Sequence, residues 1–140
     1  MNERPDVADL ESRDWRLGMS VTHRRYVSAA DAHYGGNLVD GAYVLGLFGD
    51  VATEVCIRSD GDEGLFAGYA SIRFLAPVRG GDIVEASATV VEVGRTSRTL
   101  RLQAVVVCRA APEIGASASA VLTEPLTVVE AVGTVVVPVQ

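Results

Sequence analysis

The chain is predicted to be an α+β protein built from one strand, one long helix and four consecutive strands. Three observations carry that expectation. The stretch Leu38 to Arg58 reads as one long buried helix opened by a glycine pair, Gly35-Gly36. The segments Leu65–Val78 and Arg98–Cys108 alternate apolar and polar residues, as half-buried strands do. Turn signals then separate the strands, at Gly80-Gly81-Asp82 and at Gly94-Arg95-Thr96-Ser97.

Residues 1 to about 13 are polar and are expected to be loose. Trp15 to Val27 forms a first strand, with Arg24 and Arg25 keeping part of it near solvent. Asp31–Asn37 is a loop before the helix, and Ser59–Gly64 is an acidic turn after it. In Leu65–Val78, Phe66, Ala70, Ile72 and Phe74 are set against Tyr69, Ser71 and Arg73, and the strand ends at Ala76-Pro77. Ile83–Val93 and Arg98–Cys108 are the next two strands. Ala116–Leu122 is a last strand, leaving Leu126–Val139 as a Val-rich tail without an assigned shape. The helix carries small residues, including Gly46 and Gly49, on the face away from Asp40. Two mid-helix glycines cost about 1 kcal/mol each relative to alanine, so a close approach is expected in return. A curved antiparallel sheet wrapped around one central helix requires such an approach. That arrangement is the hotdog fold.

At 140 residues the chain is expected to be a single domain spanning 1–140. Hydrophobic residues make up 49% and mean hydropathy is +0.26, a surplus best accounted for by burial against further copies of the chain. A homodimer or a dimer-based higher oligomer is therefore expected. The most apolar stretch, Leu38 to Ile57, contains Asp40, Asp50 and Glu54, so no membrane span is predicted. The charged, polar N-terminus carries no secretory signal, which points to the cytoplasm. A net charge of −6 argues against nucleic acid as a partner. All twelve basic residues are arginines, which excludes a Schiff-base lysine and the usual covalent attachment of pyridoxal phosphate. Cys56 and Cys108 sit in apolar stretches and read as reduced core residues. Two cysteines and two histidines provide poorly for a zinc or iron–sulfur site, and no metal is expected.

The chemistry gathers at the helix mouth. Backbone N–H groups at a helix N-terminus form an anion site, and Asp40 is placed in the first helical turn beside it. Asp40 either complements the helix dipole or acts as a base or an ammonium-binding group. His33 stands two residues before the glycine pair, where an imidazole can shuttle protons, and Asp31 is either a turn residue or a partner in that site. Glu54 lies about 21 Å along the helix from Asp40, so within one subunit the two cannot share a site. Glu54 is therefore paired with Arg58 or serves a neighbouring subunit. Asp60, Asp62 and Glu63 form an acidic cluster, either solvated or facing a cationic substrate group. Arg95, Ser97 and Arg98 make a polar turn suited to phosphate contacts, or an ordinary hairpin turn.

Several of these segments resemble the 3-aminobutyryl-CoA ammonia-lyases. They are Asp31-Ala-His-Tyr-Gly-Gly-Asn-Leu-Val-Asp-Gly-Ala42, Leu47-Phe-Gly-Asp-Val-Ala-Thr-Glu54, Asp60-Gly-Asp-Glu-Gly-Leu-Phe66, Phe74-Leu-Ala-Pro-Val78 and Gly94-Arg-Thr-Ser-Arg98. The likeness covers roughly residues 16 to 138, and its strand motifs are shared with hotdog thioesterases in general. It implies a hotdog fold and reversible, cofactor-free removal of ammonia from a 3-aminoacyl-CoA thioester, giving the 2-enoyl-CoA. Coenzyme A is then part of the substrate. On this reading N–H groups around Gly35, Gly36 and Asn37 hold the thioester oxygen, and Asp40 by preference, or His33, takes the α-proton. Asp31, Glu63 or a neighbour's Glu54 faces the departing ammonium, and Arg95, Ser97 and Arg98 contact the coenzyme A phosphates. The chain lacks the Ala-Ser-Gly tripeptide from which some ammonia-lyases build an electrophile. The alternatives are an acyl-CoA thioesterase, an enoyl-CoA hydratase and a non-catalytic acyl-CoA-binding subunit.

Overall fold

The structure is a computed structural model that describes residues 14–138. The segment 1–13 expected to be loose lies outside the described residues. Five strands form one antiparallel sheet: β1 (Ser20–Tyr26), β2 (Leu65–Phe74), β3 (Ile83–Val93), β4 (Ser97–Ala110) and β5 (Ser119–Val136). The strand order is β1-β3-β4-β5-β2, and one helix, α1 (Gly41–Asp60), packs on the sheet. A 3₁₀ turn at Ala29–Asp31, capped by the Ser28 hydroxyl, lies between β1 and the helix. This is the hotdog arrangement expected from the sequence.

Strand alternation builds the core. In β3 the buried apolar residues are Val84, Ala86, Ala88 and Val90; in β4 they are Leu100, Leu102, Ala104 and Val106. They meet Val44, Leu47, Phe48, Val51, Ala52, Val55 and Cys56 of α1 in one cluster. Ala86, Ala88 and Ala104 of the sheet belong to the same buried cluster. The mid-helix glycines do not supply the close approach expected of them: a Cβ at Gly46 or Gly49 would have nothing within 4 Å, because both open away from the sheet. The tight helical glycine is Gly41, where a Cβ would lie 2.7 Å from Cε1 of Phe74.

Boundaries differ from expectation where capping and pairing act. The helix starts at Gly41 and not Leu38, since Asp40 takes the N-cap position with φ −76° and ψ 165°. It ends at Asp60 because Gly61 adopts the left-handed C-cap conformation, φ 67°. β1 begins at Ser20, after a turn over residues 15–18 that ends at Gly18, φ 84°. β2 closes at Phe74, ahead of Pro77. The final strand and the Val-rich tail are one strand of 18 residues. Its pairing with β4 jumps from Val106↔Leu126 to Cys108↔Val121, and Pro125 falls within that irregularity, which explains why the sequence reads as two pieces. Beyond it, residues 129–136 pair with β2 and β4 at once.

Candidate active site

The loop preceding α1 is held by backbone pairing. Tyr34 bridges Leu38, Leu38 bridges Arg79, and the Val39 N–H donates to the Val78 carbonyl. The turn between Tyr34 and Leu38 contains Gly36 at φ 78° and Asn37 at φ 62°, consecutive left-handed residues. Asn37 turns its side chain away from the mouth and donates from Nδ2 to the Gly80 carbonyl at 2.9 Å. The backbone N–H groups of Gly36 and Asn37 donate to no acceptor among the described residues.

This turn brings His33 and Asp40 together. Asp40 Oδ2 lies 2.7 Å from His33 Nε2, and Asp40 Oδ1 accepts the Tyr43 N–H at 2.9 Å. The His33 bond, then the Tyr43 bond, holds the Asp40 carboxyl below the usual carboxylate range. Asp40 is thus an ionised N-cap that also orients an imidazole, where the sequence placed it inside the first turn. Asp31 lies in the 3₁₀ turn nearby and, with burial as the larger cause, raises the Tyr43 phenol against the lowering effect of Arg25.

A pocket of about 460 Å³ opens at the same helix end. Val44, Val78 and Val129 form its buried floor, and Tyr34, Phe74 and Leu75 form an exposed rim. Asp40 is the one charged residue lining it. A carboxylate–imidazole pair at the edge of an apolar pocket suits proton transfer to or from a bound molecule with an apolar tail.

The remaining predicted site residues gather at the opposite end. Twenty helical residues at 1.5 Å each put the two ends about 30 Å apart. At the far end Asp60 accepts from Arg98 Nε at 3.0 Å and Nη2 at 2.7 Å, and from Arg16 Nη1 at 2.6 Å. Arg98 is 4% exposed and also donates to the Gly94 and Ser97 carbonyls. Its guanidinium is therefore occupied within the protein. Asp60 is no solvated turn residue either: Arg98 foremost holds its carboxyl down to about 2. Glu63 is exposed beyond the helix C-cap. Arg95 lies in the β3–β4 turn and Ser97 opens β4 beside Arg98. Within one chain, then, Asp31, His33, Gly35, Gly36, Asn37 and Asp40 converge, while Glu54, Glu63, Arg95, Ser97 and Arg98 stand apart from them.

Glu54 makes the expected bond with Arg58, at 2.8 Å. It also meets His23 Nε2 of β1 at 2.8 Å, so each of the two histidines has a carboxylate partner. Sequence reading misses that second pair, since its members are 31 residues apart and only the packing of β1 on α1 joins them. It also misses Asp82, fully buried and bonded to the Arg109 guanidinium at 2.9 Å from both Nε and Nη2. Among the described residues, no group of three or more His, Cys, Asp or Glu side chains is placed to hold a metal ion, and no helix is long and apolar enough to cross a membrane.

A five-stranded antiparallel sheet around a single helix, with its pocket at the helix mouth, defines a hotdog protein, and the thioesterase superfamily matches residues 36–110. The 3-aminobutyryl-CoA ammonia lyase of Acetoanaerobium sticklandii is 52% identical over 112 residues, 80% of this chain and 89% of that protein. The chain belongs to that lyase's family within the superfamily. The solved β-alanyl-CoA:ammonia lyase from Clostridium propionicum superposes with a TM-score of 0.81 at 36% identity, covering 86% of each chain. A hexameric hotdog-fold thioesterase of Campylobacter jejuni shares the fold at 18% identity and a TM-score of 0.69, covering 83% of this chain and 80% of its own.

Proposed function

We propose that this protein is a β-aminoacyl-CoA ammonia lyase, a carbon–nitrogen lyase that interconverts a 3-aminoacyl-CoA with the 2-enoyl-CoA and ammonia. The observation that carries the reading is the His33–Asp40 pair on the rim of an apolar pocket, in a chain so similar to a 3-aminobutyryl-CoA ammonia lyase.

The thioester carbonyl lies against the unpaired N–H groups of Gly36 and Asn37, with Gly35 beside them, so that charge developing on oxygen meets donors already in place. The α-proton passes to the His33–Asp40 dyad. Both Asp40 oxygens accept hydrogen bonds and the carboxyl is held low, so the imidazole receives the proton while Asp40 stabilises the imidazolium. The enolate electrons then form the C=C bond as the C–N bond breaks. The nitrogen leaves as ammonia, taking the bonding pair that neutralises its charge. The chemistry needs no cofactor beyond the coenzyme A of the substrate. Asp31 is the anionic group near the departing nitrogen within the same chain.

A second copy completes the site. β2 is an edge strand with Leu65 and Phe74 exposed, and Gly46 and Gly49 leave the outer helix face open about midway between Asp40 and Glu54. Two helices crossing antiparallel at those glycines bring Glu54, Glu63 and the Arg95–Ser97 turn of one copy toward the mouth of the other. Glu54 or Glu63 then joins the ammonium site, and Arg95 and Ser97 reach the coenzyme A phosphates. Unpaired Cys56 and Cys108 suit the reducing cytoplasm.

Purified protein incubated with crotonyl-CoA and ammonium is expected to yield 3-aminobutyryl-CoA, read by mass. Release of free coenzyme A thiol instead identifies a thioesterase, and addition of water without ammonium identifies a hydratase.

A further inference from the structure

The two ring nitrogens of His33 have different surroundings. Nε2 lies 2.7 Å from Asp40 Oδ2, while Nδ1 has no hydrogen-bond partner among the described residues. An ionised carboxylate can only accept, and Asp40 is held below the usual carboxylate range by this contact and by the Tyr43 N–H. Nε2 therefore carries the hydrogen and donates it to Asp40. The neutral imidazole is left with one lone pair, on Nδ1. A proton arriving at the ring binds there, and Asp40 balances the imidazolium that results.

His33 does not line the pocket at the helix mouth, whereas Tyr34, the next residue, does. The Tyr34 ring stands against the imidazole, with centroids 4.6 Å apart and planes inclined by 60°. An aromatic ring at that range favours a cation beside it. The Tyr34 backbone is held in turn, because its N–H donates to the Leu38 carbonyl at 3.1 Å and Leu38 bridges Arg79. The phenol hydroxyl bonds to nothing among the described residues, so the ring and not the oxygen meets His33. Tyr34 thus touches the pocket on one side and the imidazole on the other. These contacts lie within one chain and do not depend on a second copy.

We infer that Nδ1 of His33 is the atom that takes the α-proton, and that Tyr34 is the positioning residue that presents it to the pocket. In this step the Cα–H bond breaks, its electron pair enters the enolate, and the proton bonds to the Nδ1 lone pair. In the addition direction the same N–H returns the proton to Cα. The inference rests on the ammonia-lyase reading for the leaving amine, and its test separates the two.

The full chain is compared with its Tyr34→Leu and Tyr34→Phe variants. Turnover of 3-aminobutyryl-CoA is measured beside deuterium uptake at Cα of butyryl-CoA in heavy water, which needs the base but no leaving amine. Tyr34→Leu is expected to lower kcat and uptake by about tenfold with KM moved less, and Tyr34→Phe, which keeps the ring, to restore both. The chain has two histidines, so nitrogen-15 spectra of histidine-labelled protein show two imidazoles, and His23→Gln identifies that of His33. The neutral ring of His33 is expected to carry its hydrogen on Nε2. Hydrogen on Nδ1, a Tyr34→Leu change confined to KM, or a Tyr34→Phe variant no better than Tyr34→Leu overturns the inference even if ammonia is released. Ring-dependent uptake in a protein releasing no ammonia upholds it and overturns the lyase reading. Absence of both uptake and turnover overturns both.

Discussion

Asn37 and Gly80 are bonded to each other twice: the Gly80 N–H donates to the Asn37 carbonyl at 3.0 Å, and Asn37 Nδ2 donates to the Gly80 carbonyl at 2.9 Å. This pair of hydrogen bonds ties the turn that carries the active-site loop to the segment entering β3. A Cβ at position 80 would lie 2.5 Å from Asn37 Oδ1 and 2.9 Å from the Ala29 Cα, and the backbone atom cannot yield cheaply. Gly80→Ala is therefore expected to shift the loop and cut kcat by about a hundredfold, because small misplacements at a reacting centre carry that penalty. Circular dichroism should show the fold retained.

Asp40 combines capping and catalysis, and two substitutions separate them. Asn caps a helix as well as Asp, so Asp40→Asn is expected to keep the thermal midpoint while lowering turnover by about 10²–10⁴-fold. Asp40→Ala loses both roles and about 1 kcal/mol of stability. Unchanged turnover in Asp40→Asn removes the dyad from the mechanism.

Asp60 links stability to acid. Its carboxyl stands at about 2 in the folded chain against an ordinary value of 3.8, so its stabilising effect is complete above 3.8 and is lost as pH falls toward 2. The shift corresponds to about 2 kcal/mol. Asp60→Asn is expected to flatten the pH dependence of urea unfolding between about pH 4 and 2. It also destabilises the protein at neutral pH, since Arg98 remains buried without its anionic partner.

Arg95 and Arg98 are neighbours with different expected effects. Arg98→Ala breaks a buried pair and is expected to cost about 3–5 kcal/mol, measured by chemical unfolding. Arg95→Ala is expected to leave stability within about 0.5 kcal/mol and to raise KM for the thioester severalfold at constant kcat. A KM unmoved by Arg95→Ala removes that turn from coenzyme A binding.

The sequence makes the architecture legible through periodicity that the packing preserves. The alternation Leu100, Leu102, Ala104 faces the helix as read, and the long apolar stretch is the central helix. The helix start is misjudged because an Asp one residue before a glycine fits a cap and a first turn equally well from sequence alone. The Glu54–Arg58 pair is visible because it is local. His23–Glu54, Arg98–Asp60 and Arg109–Asp82 are invisible because each joins residues 27 to 38 positions apart, through sheet order and helix packing. Gly46 and Gly49 are assigned to the sheet, whereas the close contact falls on Gly41, whose aromatic neighbour lies 33 positions along the chain.

The two ends of α1 are fastened very differently. At its C-terminus, Asp60 joins the half-buried Arg16 of the turn before β1 and the buried Arg98 of β4, across three chain segments. At its N-terminus, the His33–Asp40 contact is solvent-facing, and the loop hangs on a few backbone bonds. The helix therefore behaves as a lever anchored at the tail and compliant at the mouth. Amide hydrogens of residues 33–43 should exchange fastest of any in the core-facing segments, and a bound thioester should slow them while leaving the anchored end unchanged.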